Sequence, residues 1–109
     1  MGKSRLKIRV PKEIKIGTHT YRIILDRSIR TDDSRIGETN HRTQEVKIWT
    51  EAPLTMKNEA LLHEIIHIAE FYFRVSVEDA DIDRIAECMC DFLFNNLNLE
   101  FDWQDIGSQ

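Results

Sequence analysis

The chain has 109 residues, enough for one domain and not for two. It is 41% hydrophobic and 31% charged, with only four Gly and two Pro, which excludes collagen-like, low-complexity and wholly disordered classes. The net charge of -4 divides unevenly. Residues 1–50 carry 12 Lys and Arg against 6 Asp and Glu, and residues 51–109 carry 3 against 13. The basic charges of the first half alternate with apolar residues, as on the wet face of strands. That reading favours a solvated sheet face over a nucleic-acid surface.

Membrane and secretory readings find little support. No apolar run approaches the ~20 residues of a membrane helix, and the basic MGKSRLKIRV start lacks the apolar core of a secretory signal. Cys88 and Cys90 are one residue apart, a poor spacing for a disulfide staple and too few thiols for a zinc knuckle. A reducing, cytoplasmic setting is expected, with both thiols packed as small apolar groups.

The first half reads as strands, from about residue 5 to 49. Leu6, Ile8 and Val10 alternate with Lys7 and Arg9, Ile14 and Ile16 resume the alternation, and Tyr21, Ile23 and Leu25 repeat it. Residues 27–43 are polar and turn-rich and read as a loop. QEVKIW (44–49) reads as a fourth short strand.

Two helices follow. Thr55 is the expected N-cap of the first, which runs over about 56–73. On a 100° wheel, Glu59, His63, His67, Glu70 and Arg74 fall within about 80° of one another, while apolar residues fill most of the remaining circumference. The second helix is expected over about 77–97, with Ser76 as cap and Asp79 completing a capping box. Its apolar face is Ile82, Ile85, Ala86, Met89, Phe92 and Leu93. The acidic tail reads as loosely ordered, although Phe101 and Trp103 offer apolar groups that can pack back.

His63-Glu64-Ile65-Ile66-His67 is an H-E-x-x-H motif on the first helix. Residues i and i+4 project from one face a turn apart, so both imidazoles can reach one Zn²⁺ at ~2.0–2.1 Å. Glu64 lies beside such an ion rather than on it, where it can take a proton from activated water. A catalytic zinc site needs a third protein ligand. If the helices fold back at Arg74–Val75, the matching depth on the return helix falls at residues 83–87, which leaves Asp83 and Glu87. Glu87 has the longer reach. Asp91, one turn further, is placed to accept the second N–H of a ligand His.

The pattern H-E-x-x-H, nineteen residues, then Glu87-x-x-x-Asp91 resembles the gluzincin class of zinc metallopeptidases. The small size, with a strand leading into EALLHEIIH and a second helix, is similar to compact bacterial and phage metallopeptidases of the ImmA/IrrE-like group. The likeness spans about residues 17–97. It implies His63, His67 and Glu87 as zinc ligands, Glu64 as general base and Asp91 as support for a ligand His. It also implies a peptide or protein substrate lying along an edge strand, a role for which QEVKIW is well placed. His41, His19, Tyr21, Tyr72 and Arg74 are the remaining candidates for stabilising an oxyanion; none has a spacing signal, each reads first as structural or solvated, and His41, in the polar loop before QEVKIW, is the one retained.

The expected fold is therefore α+β: one zincin-like domain over residues 1–109, with a small antiparallel or mixed sheet packed on two antiparallel helices. The alternative function is a catalytically silent module, stabilised by zinc, that binds a protein or nucleic-acid partner.

Overall fold

The computed structural model describes residues 4–29 and 36–107 of the chain. Alternating apolar residues build most of its sheet. Strands β2 (Glu13–Ile16) and β3 (His19–Asp26) form an antiparallel hairpin, with Ile14 opposite Tyr21 and Ile16 opposite His19. Gly17 turns the corner at φ 63°, a conformation that costs glycine little. Strand β5 (Glu45–Trp49) lies parallel to β3, pairing Ile23 with Val46 and Leu25 with Ile48.

A further strand lies where the polar composition suggests only a loop. Gly37–Asn40, sequence GETN, forms β4, antiparallel to β5, with Thr39 opposite Val46. It carries no apolar alternation of its own, so its strand character comes from pairing with β5 rather than from local propensity. The sheet order is β2-β3-β5-β4. QEVKIW is thus interior, and β4 takes the edge position. The 30–35 part of the expected loop lies outside the described residues.

The tail also departs from expectation. Leu99–Asp102 forms β6, parallel to β1 (Leu6–Arg9), with Leu6 beside Leu99 and Ile8 beside Phe101. The Val10 N–H donates to the Asp102 carbonyl and the Leu25 N–H to the Gly107 carbonyl, which ties the tail to the sheet. Trp103 is buried and donates from Nε1 to Asn58 Oδ1 at 2.8 Å.

Helix α1 (Leu54–Phe73) starts directly after Pro53 with no side-chain cap, so Thr55 stands inside the helix rather than at its boundary. The Pro53 carbonyl accepts the N–H groups of Met56 and Lys57. Arg74, at φ 56°, ends it in the left-handed conformation common at helix C-termini. Helix α2 (Asp79–Cys90) starts behind Glu78, again with no side-chain cap, three residues past the Ser76 cap that the sequence suggests. It then widens into a π-helical segment, Asp91–Asn96.

Tyr21, Ile23 and Leu25 of β3, with Val46 and Ile48 of β5, pack against Leu61 and Ile68 of α1. Each such burial contributes roughly 1.5–3 kcal/mol. Ile82 and Ala86 bury the inner face of α2. The fold class is α+β, as expected: sheets of four and two strands with two principal helices. No helix among the described residues is long and apolar enough to cross a membrane.

Candidate metal centre

Helix α1 brings the H-E-x-x-H side chains to one place. His63 Nε2 and His67 Nε2 stand 3.0 Å apart, their rings edge-on at 4.8 Å between centroids. One donor atom from each of His63, Glu64 and His67 lies within 4.8 Å of the others.

The far nitrogens explain why the near ones converge. His63 Nδ1 meets Asp83 Oδ1 at 2.8 Å, and His67 Nδ1 meets Glu70 Oε1 at 3.0 Å. Each carboxylate is an acceptor, so each Nδ1 carries a proton, and a ring that holds only that proton offers its Nε2 lone pair. Two such nitrogens 3.0 Å apart are joined either by a proton on one of them or by a cation bound to both. The donor set therefore fits a divalent ion that binds imidazole, and zinc suits it.

Glu70 is itself anchored: its Oε2 accepts the Val77 N–H at 3.0 Å. That bond first, and His67 after it, hold its carboxyl below the usual range. The chain between the helices is thereby fastened to a residue that orients a histidine.

Glu64 is buried, with 6% of its surface exposed. Its Oε1 accepts a hydrogen bond from Thr39 Oγ1 of β4 at 2.6 Å. Gly37, two residues earlier on the same strand, lies so close that a Cβ there would stand 3.3 Å from both Cγ and Oε2 of Glu64. A cavity of about 390 Å³ opens over this group, lined by Gly37, Thr39, His41, His63, Glu64 and His67. A second, of about 310 Å³, shares Gly37, His63 and Glu64 with it and extends to Glu59 and Asp83.

His41, in the turn between β4 and β5, reaches the rim. Its ring stacks on Phe71 at 4.0 Å, and its Nδ1 lies 2.7 Å from the Tyr21 hydroxyl. That hydroxyl donates to Tyr72 at 3.2 Å, so the His41 nitrogen is the donor in its own bond. Tyr21 is fully buried, and desolvation and then Tyr72 push its ionisation far above the ordinary value. Burial and then the neighbouring His67 hold the His41 pKa below its ordinary value, while Glu64 acts against them. His19 stacks on Tyr72 at 4.0 Å, so three of the proposed oxyanion candidates form one aromatic cluster with His41 at its cavity end. Arg74 caps α1 and is exposed.

No family model matches the chain, and neither does any curated protein or solved structure.

The acidic residues of α2 are ordered by helix register. Asp83 faces His63. Glu87, one turn on, is ~6 Å further along the axis and Asp91 ~12 Å further. Glu87 is exposed and lies outside the group of three; together with burial it raises the pKa of Glu59, the residue one turn before His63. Asp91, expected to support a ligand histidine, is exposed and accepts from Asn95 Nδ2 at 2.7 Å. The carboxylates seen to meet His63 and His67 are instead Asp83, within the 83–87 span expected to lie opposite the motif, and Glu70. Glu70 had a legible signal, since it is three residues after His67 on the polar stripe. Thr39 and Gly37 had none, because they lie in a segment with no strand pattern. Cys88 is exposed rather than packed, and Cys90 is half-buried, its thiol pushed up to about 11 by burial and then by Glu59.

Proposed function

We propose that this chain is a zinc-dependent peptidase, with His63 and His67 as metal ligands and Glu64 as general base. The observation that carries the reading is the convergence of two oriented imidazole lone pairs beside a buried, hydrogen-bonded carboxylate. When bound, such an ion supplies the Lewis acidity that makes water a nucleophile at neutral pH. Glu64 accepts the proton of the attacking water and delivers it to the leaving amine. Asp83 and Glu70 keep both histidines in the tautomer that can ligate.

Of the two acidic candidates for completing the coordination, Asp83 is engaged at His63 Nδ1, the nitrogen turned away from such an ion, which leaves that place to Glu87. The substrate is an extended peptide added to the outer edge of β4, with which no strand pairs among the described residues. Thr39 and Gly37 of that strand touch or closely approach Glu64, so a peptide paired there passes beside the base. The resemblance to compact gluzincins agrees with this reading.

The test combines metal analysis with hydrolysis of a peptide library by the wild type and Glu64→Gln. The expected result is about one zinc per chain in both proteins, with hydrolysis lost in the variant. Unchanged hydrolysis in Glu64→Gln would refute the role of the base. Stoichiometric zinc with no hydrolysis by the wild type would leave a metal-stabilised binding module.

A further inference from the structure

We infer that Thr39 is a positioning residue for Glu64, so that the strand offered to substrate also sets the orientation of the base. The inference rests on the peptidase reading and goes beyond the motif, since Thr39 lies 25 residues from Glu64 in the chain.

A glutamate on a helix has three side-chain torsions, and its terminal one is broad. A proton acceptor must nonetheless stand within hydrogen-bond reach of its water, about 2.6–3.2 Å. Two features of β4 narrow the choice for Glu64. The Thr39 hydroxyl holds Oε1 at 2.6 Å, and the backbone at Gly37 lies against Cγ and Oε2. Residues 37 and 39 are two apart on a strand, so they share one face, and that face meets α1. The carboxylate is thus held on one oxygen by a donor and confined on the other by a residue without a side chain. The donor is neutral and lies on the edge strand, whose position depends on its pairing with β5. A peptide that pairs with β4 stiffens the same strand.

The experiment compares wild type, Thr39→Val, Thr39→Ser and Thr39→Ala, each loaded with zinc, on a fluorogenic peptide cleaved by the wild type. Valine keeps the branched shape and the strand preference but removes the hydroxyl. The expected result for Thr39→Val is a kcat lower by on the order of 10–100-fold, the usual cost of a misplaced group. KM and zinc stoichiometry stay within about two-fold of wild type under the same account, in which the hydroxyl touches only the base. Thr39→Ser restores most of the kcat, and Thr39→Ala behaves like the valine variant should that one fold poorly. An unchanged kcat in the folded variants, or a serine variant as impaired as valine, overturns the inference.

A second readout does not depend on turnover. Crystal structures of the zinc-loaded wild type and Thr39→Val should differ in the Glu64 carboxylate, which turns away from β4 in the variant. An identical carboxylate overturns the positioning role even if the wild type proves inactive. Absence of hydrolysis by the wild type alone overturns the peptidase reading, which separates the two failures.

Discussion

The Asp83 carboxylate meets His63 Nδ1 at 2.8 Å across the two helices. This contact sets the register of α2 against α1 at the site and determines which ring nitrogen of His63 faces the cavity. It also makes Asp83, rather than Asp91, the acidic residue of α2 nearest the motif. Asp83→Ala should lower zinc affinity by about 10–100-fold, the usual effect of removing such an orienting group. Glu87→Ala should lower it more, because it removes a ligand rather than an orienting group. Competition with a chromogenic chelator measures both, and the reverse order would remove Glu87 from the third position.

His63→Ala and His67→Ala should each abolish stoichiometric zinc binding. One imidazole from a single helix turn leaves too few protein donors for a stable tetrahedral site. Inductively coupled plasma analysis of purified protein reads the outcome. A variant that retains one zinc per chain would remove that histidine from the ligand set.

Tyr21→Phe should destabilise the fold by about 1–3 kcal/mol, because it leaves both the His41 nitrogen and the Tyr72 hydroxyl without their partner in a partly buried cluster. Urea denaturation at neutral pH measures the change. A loss below about 0.5 kcal/mol would mean that both groups find water instead.

Gly37→Ala should lower stability by about 1–3 kcal/mol, the usual cost of overpacking. Its Cβ would meet Ile48 Cδ1 at 3.1 Å and Glu64 at 3.3 Å. The same variant should reduce turnover, since relief on the helix side moves the base. Differential scanning calorimetry together with kcat reads both effects, and an unchanged melting temperature would show that β4 yields freely.

Asp26 supplies a pH dependence that is separate from the metal. Its Oδ1 accepts both the Ser28 N–H and the Ser28 hydroxyl at 2.7 Å, and these bonds hold its carboxyl below the ordinary value of 3.8, with Lys47 assisting. A native pKa below the unfolded one means stability that is complete above the unfolded value and is lost as pH falls through the native value. Wild type should therefore lose stability below about pH 4, where the unfolded carboxyl begins to bind its proton. Asp26→Asn should be less stable at pH 7 and show a shallower decline in acid. Melting curves from pH 7 to pH 2 test this, and parallel declines in the two proteins would contradict it.

Chain-local periodicity accounts for what was legible. Period-two apolar alternation marked β1, β2, β3 and β5, and the 3.6-residue period marked both helices and set His63 and His67 a turn apart with Glu64 next to His63. Those patterns depend only on neighbouring residues, so the α+β class and the centre of the candidate site were readable from the amino acids alone. The polar strand β4, the parallel pairing of β6 with β1, the interior place of β5 and the partners of each histidine were not. They depend on contacts between segments distant in the chain, and on where the 74–78 link turns α2 back. Only the packed structure decides which carboxylate faces His63 and which strand touches Glu64, because helix register and strand order follow from burial of whole faces rather than from local spacing.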